Sequence, residues 1–170
     1  MSYSIARVSQ AVVAGLTLSL AASAVSAEAL ESNFSYRIVE ADAAGQEILV
    51  ERASVKPGEV IHYELRHQNR TDDNMAGLVI AAPVPEGVTI SLGAEHSSVP
   101  ALFEIQAELD PEQDGLEWST LPAVRKVADA SGALHEEPLP DTEIVAVRWS
   151  LTEALESGEA ALNTYRVRVN

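Results

Sequence analysis

Most of the chain alternates apolar and polar residues in short runs, and this two-residue period constrains its fold more than any other feature. In residues 59–67 (EVIHYELRH), Ile61, Tyr63 and Leu65 occupy alternate positions with polar side chains between them. Successive side chains of a β-strand point to opposite faces, so this pattern predicts a strand with one apolar face and one polar face that contacts solvent. We predict that the residues of this period face the core of an all-β domain, a sandwich or a barrel. The period recurs at Phe34, Tyr36 and Ile38; at Ile48 and Val50; at Val88, Ile90 and Leu92; at Phe103, Ile105, Ala107 and Leu109; at Val145, Val147 and Trp149; and at Tyr165, Val167 and Val169.

Turn-forming residues separate these runs. Pro57-Gly58 predicts a type II turn, because proline fixes the first central φ and glycine accepts the positive φ of the second. Residues 83–87 (PVPEG) end one strand and begin the next, since proline cannot donate to a central ladder. Residues 129–132 (DASG) predict a hairpin tip within the less regular stretch 122–141, where two prolines argue against a continuous strand.

Two segments depart from simple alternation. Residues 77–84 (GLVIAAPV) are apolar at both parities, which predicts a strand that is covered on both sides or that closes the core near its end. Residues 152–157 (TEALES) offer a single helical turn that Thr152 could cap. The chain contains no internal repeat and no linker long enough to divide it, so residues 28–170 are predicted to form one domain.

The N-terminus carries the pattern of a secretory signal peptide. Residues 1–27 contain one charge, Arg7, then an uncharged stretch over residues 11–24, then the small residues that precede a cleavage site. The apolar run is too short to span a membrane, which takes about 20 helical residues. We predict cleavage after Ala27, a mature N-terminus at Glu28, and a periplasmic or extracellular protein.

The charge balance excludes one class of partner. The chain carries 26 acidic and 11 basic side chains, a formal net charge of −15. Nucleic-acid binding depends on clustered Lys and Arg that displace counterions, so this class of function is excluded. The sequence has no cysteine, so no disulfide stabilises the fold in an oxidising compartment.

The segment 46–92 resembles a known family. It contains Val55-Lys56-Pro57-Gly58 leading into the strand with Tyr63, then Asn69-Arg70-Thr71, and then Pro85-Glu86-Gly87. This order is similar to the bacterial conserved-repeat domain, the domain of unknown function numbered eleven. In that family a Pro-Gly turn leads into a strand with an inward Tyr, an Asn closes the strand, and a Pro-x-Gly turn follows the next one. The resemblance implies an immunoglobulin-like β-sandwich of surface and secreted proteins.

The titratable residues form no recognisable catalytic motif. The sequence has no Gly-x-Ser-x-Gly elbow and no His-Glu-x-x-His pair. By parity, His62 and His67 point to opposite faces of one strand, while His96 and His135 fall in predicted loops. We therefore assign no catalytic, no cofactor-binding and no metal-binding residue, and we expect the histidines to face solvent.

Two local features are compatible with ligand binding. Residues 110–115 (DPEQDG) resemble the first half of a calcium loop, but its twelfth position, which needs a bidentate Glu, is Leu121. An acidic hairpin turn is the favoured interpretation. Trp118 and Trp149 have rings on which a sugar could stack, although Trp149 shares parity with the valines of its strand and is predicted to lie in the core.

The C-terminal segment 162–169 leaves two interpretations open. Arg166 and Arg168 lie on the parity opposite to Tyr165 and Val167, and no covering helix follows. The arginines are either the polar face of a fully paired strand, which is favoured, or a basic stripe on an open edge that docks an acidic neighbour, including another copy of this chain.

Together these features predict a function without chemistry. The first hypothesis is an exported, non-catalytic immunoglobulin-like β-sandwich module with a structural, adhesion or assembly role in the bacterial envelope. Its expected partner is an envelope protein, with no nucleic acid and no membrane span. The alternative is a carbohydrate- or calcium-binding module, and an enzyme with a site built by tertiary convergence is the third possibility.

Overall fold

Strands form most of the described backbone. The structure, a computed structural model, describes residues 29–170, so the predicted signal peptide, residues 1–27, lies outside the described residues. One short 3-10 helix, Asp141–Glu143, interrupts the strands. The strands are β1 (Leu30–Ala41), β2 (Glu47–Val50), β3 (Val60–Asn69), β4 (Val79–Pro83), β5 (Val88–Ile90), β6 (His96–Ser97), β7 (Ala101–Ala107), β8 (Glu117–Ser119), β9 (Val124–Ala128), β10 (Leu134–Pro138), β11 (Ala146–Leu151) and β12 (Ala160–Val169).

The strands assemble into antiparallel sheets. The first sheet has the order β2-β1-β3-β12-β5, and β6 also pairs with β12. The second sheet has the order β4-β11-β7-β8, and β9 and β10 form a separate hairpin. The prediction of an all-β chain is therefore confirmed. Among residues 29–170, no helix has the length and apolar character needed to cross a membrane.

Side chains from both sheets meet in a single hydrophobic core. Ile38 and Tyr165 of the first sheet and Ile105 and Trp149 of the second are all buried within it. The rings of Trp149 and Tyr165 lie 6.1 Å apart between centroids. The Tyr165 hydroxyl donates a 2.9 Å hydrogen bond to the carbonyl of Pro83, which ties β12 to the end of β4.

Four residues that were predicted to face the core are exposed. Phe34 and Tyr36 lie on the same face as buried Ile38, but their side chains are 57% and 42% exposed, and Ile48 and Val145 are each 41% exposed. Side-chain parity predicts which face a residue occupies. It does not predict whether a second layer covers that face, and here the cover is incomplete around β2 and the first half of β1.

The two segments without simple alternation also differ from expectation. Strand β4 alternates exposed and buried residues, so its apolar run is covered on one side only; it is the edge strand of the second sheet. Residues 152–157 form no helical turn, because buried Leu155 exchanges backbone hydrogen bonds with Met75, at 2.9 and 2.8 Å. Asn69 closes β3 beside it, where its Nδ2 donates to the carbonyls of Leu155 and Glu156, at 3.1 Å each.

The predicted turns are present. Gly58 has a φ of +84°, and the Glu59 amide donates to the Lys56 carbonyl at 3.1 Å, as a type II turn requires. The DASG segment forms the tip between β9 and β10, where the Asp129 carboxylate accepts from the backbone amide of Ser131. Pro138 is the last residue of β10, and the end of a strand tolerates a proline, which has no backbone N–H to donate to the ladder.

Strand β12 is a central strand, not an edge. It pairs with β3 on one side and with β5 and β6 on the other. Arg166 pairs with Glu47, and its Nη1 lies 2.9 Å from Oε2; Arg168 donates to the Gly58 carbonyl. The two arginines therefore belong to the polar face of a fully paired strand, as the favoured interpretation predicts, and β12 has no open edge beside Arg166 and Arg168.

Candidate interaction surface on strand β1

An uncovered aromatic patch lies on β1. We define the aromatic patch as Phe34 and Tyr36, which follow each other on one face of the strand. Phe34 stacks on Tyr63 with ring centroids 5.3 Å apart, and the ring centroid of Tyr36 lies 6.2 Å from that of Tyr63. Tyr63 in turn stacks on buried Tyr165 at 5.0 Å. The patch is therefore held in place by a row of rings that extends from the core.

The backbone beside the patch is an open strand edge. Strand β2 pairs only with Ile38–Ala41, whereas β3 pairs with β1 from Leu30 to Val39 on the other side. Within residues 29–170, no strand pairs with residues 30–37 on the β2 side. We call this stretch the β1 edge. Unpaired backbone donors and acceptors of this kind are a template for a further strand.

Alternate residues of β1 direct their backbone groups to this edge. The Ala29 carbonyl accepts from the Arg70 amide at 2.9 Å, so odd-numbered residues face β3. The Asp42 amide donates to the Gln46 carbonyl at 2.8 Å, so even-numbered residues face the β2 side. Both registers are continuous, without a bulge. The amides and carbonyls of Ser32, Phe34 and Tyr36 consequently point to the β1 edge.

A groove of about 570 Å³ lies between this part of β1 and the chain that leaves β2. Phe34, Ser35 and Tyr36 form one wall, and residues 51–53 form the other. Arg52 is held by two carboxylates: its Nη2 lies 2.9 Å from Oε1 of Glu59 and 3.1 Å from Oε1 of Glu40. Arg52 is therefore already paired, and the exposed carboxylate of Glu51 is the other charged group of the lining, so the groove offers aromatic and backbone contacts beside one acid.

The opposite face of the first sheet is a network of ion pairs. Arg37 contacts Glu64 and holds the pKa of that carboxyl below its usual range. His62 lies between Glu64 and Arg166, with its Nδ1 3.4 Å from Arg166 Nε. Burial, followed by the charge of Arg166, lowers the pKa of His62. The expectation that His62 faces solvent is wrong, since neighbouring long side chains leave its residue surface only 9% exposed.

The remaining histidines do not converge on a site. His67 lies on the inner face of β3, opposite to His62 as parity predicts, and burial lowers its pKa. His96 lies in the two-residue strand β6 and His135 in β10, so the loop prediction is wrong for both, and both are exposed. In the part of the chain that the structure describes, no three His, Asp or Glu side chains are placed to hold a metal ion.

The acidic turn at residues 110–115 is organised by a lysine. Asp110 Oδ2 lies 2.7 Å from Nζ of Lys126, and its Oδ1 accepts from the Glu112 amide at 3.1 Å. The Lys126 ammonium lowers the pKa of the Asp110 carboxyl. Both carboxylate oxygens are thus engaged by donors of the chain itself, as in a capped hairpin turn.

Trp118 lies on the outer face of the second sheet. The Arg148 guanidinium carbon sits 4.4 Å from the centre of its ring. Arg148 also pairs with Glu104, through Nε at 2.7 Å and Nη2 at 2.9 Å. One face of the Trp118 ring is therefore occupied by a cation that is itself fixed by a carboxylate. Trp149 is 2% exposed, which confirms its predicted core position.

Sequence reasoning assigned the aromatic patch to the core and so missed it. One signal of its exposure is present in the sequence: Ser32 and Glu40 share the parity of Phe34, Tyr36 and Ile38. Polar Ser32 ends the apolar row next to Phe34, which indicates that the cover of this face also ends near Phe34.

Comparisons with known proteins add no relative. No family model matches the chain. No curated protein and no solved structure is significantly similar to it.

Proposed function

We propose that this protein is an exported, non-catalytic module with an immunoglobulin-like β-sandwich fold, which acts in envelope structure, adhesion or assembly by binding a protein partner through the β1 surface. The observation that carries the proposal is the aromatic patch next to the β1 edge. Phe34 is 57% exposed, although it stacks on Tyr63, which in turn stacks on buried Tyr165. Exposed aromatic rings beside unpaired backbone groups are typical of surfaces that accept a partner strand.

The fold assignment has two supports. Two antiparallel sheets share one core, which is the layer arrangement of a β-sandwich. The residues that resemble the bacterial conserved-repeat domain also have structural roles: Gly58 makes the turn before β3, Tyr63 lies on its inner face, and buried Asn69 closes it. These roles are consistent with the family resemblance of residues 46–92.

The non-catalytic character is supported by the pairing of charged groups. The carboxylates with lowered pKa values each face a donor: Glu64 faces Arg37, Glu104 faces Arg148 and Asp110 faces Lys126. Structural ion pairs are sufficient to explain these lowered pKa values, and no reactive site is needed to account for them. Export is supported by the signal-peptide pattern of residues 1–27.

Carbohydrate or calcium binding, the alternative, has less support. Arg148 covers one face of Trp118, and Lys126 occupies the Asp110 carboxylate. A thermal melt with calcium, EDTA and a glycan panel tests both. We expect no shift of the melting midpoint; a shift that saturates with one of these ligands would favour the alternative.

Site-specific photo-crosslinking in the organism that makes the protein tests the proposed function. A photoreactive residue placed at Tyr36, whose side chain is 42% exposed, should yield adducts of defined mass. The matched control is Leu102, which is 48% exposed on the second sheet and should yield none. Equal labelling from both positions, or adducts from Leu102 alone, would contradict a function that resides on the β1 surface.

A further inference from the structure

We infer that the partner of the β1 edge is a second copy of this chain, which pairs its own β1 antiparallel to this one about a two-fold axis at Phe34. This inference rests on the proposed function, because it names the partner of the same surface. Pairing across the axis would join two first sheets into one continuous sheet. A closed two-fold contact of this kind uses the same residues on both subunits.

The backbone allows this register. Hydrogen-bonded pairs in an antiparallel ladder join residues that both direct their amides and carbonyls to the shared edge. A two-fold axis at Phe34 places Ser32 opposite Tyr36 of the second copy and Phe34 opposite itself. All three residues are even-numbered and face the β1 edge, as the bonds at Ala29 and Asp42 establish. Strand β2 begins to pair at Ile38, which limits the new ladder to residues up to Arg37.

The charges of β1 are self-complementary in the same register. Residues 30–37 carry one acid and one base, Glu31 and Arg37, in a chain whose net charge is −15. A two-fold axis at Phe34 places Glu31 opposite Arg37 of the second copy, twice. An axis at Glu31 would instead place two glutamates opposite each other, which is destabilising.

Existing ion pairs extend this complementarity across the sheet. Glu31 accepts from Arg70 Nε at 2.6 Å on its own β3 side, and Arg37 contacts Glu64. In the paired sheet, the outer face would therefore carry a row of alternating sign: Arg70, Glu31, then Arg37 and Glu64 of the second copy. Glu31 and Arg37 each keep their present partner and gain one of opposite sign.

The aromatic patch gives the pairing an apolar side. Phe34 would face its own copy across the axis, and Tyr36 would lie beside Ser32 of the second copy. The groove of about 570 Å³ between this stretch and residues 51–53 provides space next to the strand. Burial of rings that are now 57% and 42% exposed adds an apolar contribution to the backbone hydrogen bonds.

Single cysteines test the register directly, because the chain has none of its own. In a hydrogen-bonded antiparallel pair the Cα atoms are about 5.5 Å apart, within the range that a disulfide bridges. The Phe34→Cys variant, expressed with the full sequence, should therefore form a disulfide-linked dimer under mild oxidation. Tyr36→Cys should not, since the two copies of this residue would be about 14 Å apart along the strands.

Two results would overturn the inference. If the protein sediments as a monomer at all concentrations and Phe34→Cys does not crosslink, no second copy occupies the edge. If both cysteine variants crosslink equally, the chains meet without this register. In either case, adducts of another protein at Tyr36 in the photo-crosslinking experiment would leave the proposed function standing.

A charge variant measures the same contact without oxidation. Phe34→Lys places two ammonium groups opposite each other at the axis and should raise the dimer dissociation constant at least tenfold. Val79→Lys is the matched control, since Val79 is 55% exposed on β4, the edge of the other sheet. It should leave the constant unchanged. Loss of the dimer in Val79→Lys alone would overturn the inference and place the contact on β4.

Discussion

Six aromatic side chains form one connected group that runs through the molecule from the second sheet to β1. The ring centroid of Phe103 lies 5.3 Å from that of Trp149, and the Trp149 ring lies next to the Tyr165 ring. From Tyr165 the group continues through Tyr63 to the exposed rings of β1. Trp149 and Tyr165 are buried, whereas Phe34 is 57% exposed. Residues of the same chemical type therefore serve packing at one end of the group and, in the proposed function, recognition at the other.

This gradient predicts unequal costs of truncation. Trp149→Ala should lower the free energy of unfolding by about 3–5 kcal/mol, because it removes a buried aromatic ring. Phe34→Ala should lower it by about 1 kcal/mol, since the ring loses partial burial and one stacking contact. Denaturant unfolding of the two variants measures both values. Equal losses would show that Phe34 lies in the core, as its parity alone suggested.

The buried histidines predict a dependence of stability on pH. Burial lowers the pKa values of His62 and His67, so below about pH 6.5 the unfolded state binds protons that the folded state does not. Stability should therefore fall as pH decreases from about 7 towards 5, although Glu64 and Glu47 near His62 oppose part of its shift. Replacement of both histidines by glutamine should flatten this part of the profile. A profile that stays equally steep would assign the loss to other groups.

At the scale of elements, the two-residue period predicts where strands lie but not which strands are neighbours. Every predicted run around Tyr63, Ile105, Val147 and Val167 is a strand, because alternation is a local property. The position of β12 between β3 and β5 depends on pairing between distant segments, which no local pattern encodes. For the same reason the sequence pattern offers an open edge at residues 162–169, whereas the open edge of the first sheet lies on β1.

Proline substitutions distinguish the two sides of β1. The Ser32 amide faces the β1 edge, whereas the Asn33 amide faces β3. Ser32→Pro should therefore be tolerated better than Asn33→Pro, which also removes a ladder hydrogen bond, by about 1–2 kcal/mol of unfolding free energy. Thermal and denaturant unfolding of this adjacent pair gives the comparison. A greater loss from Ser32→Pro would mean that the assignment of even-numbered amides to the edge is wrong.

For the whole molecule, net charge and local charge act in opposite directions. Each chain carries −15, so two copies repel over a Debye length of about 30 Å at 0.01 M salt and about 8 Å at 0.15 M. The contact itself consists mainly of backbone hydrogen bonds and rings, which salt screens little, and its two Glu31–Arg37 pairs are exposed ion pairs, each worth at most about 1 kcal/mol. Self-association should therefore tighten severalfold between these two salt concentrations in sedimentation experiments. A steep weakening with salt would show that ion pairs dominate the contact.

Backbone amide exchange on β1 tests the central claim most directly, because it reads the edge residue by residue. In dilute protein, we expect exchange rates to alternate along the strand: the amides of Asn33, Ser35 and Arg37 exchange slowly, and those of Ser32, Phe34 and Tyr36 exchange fast. With rising concentration, the fast set should gain protection as the second copy pairs. Slow exchange of both sets at every dilution would contradict an open β1 edge, since it would mean that the edge is already covered in the single chain.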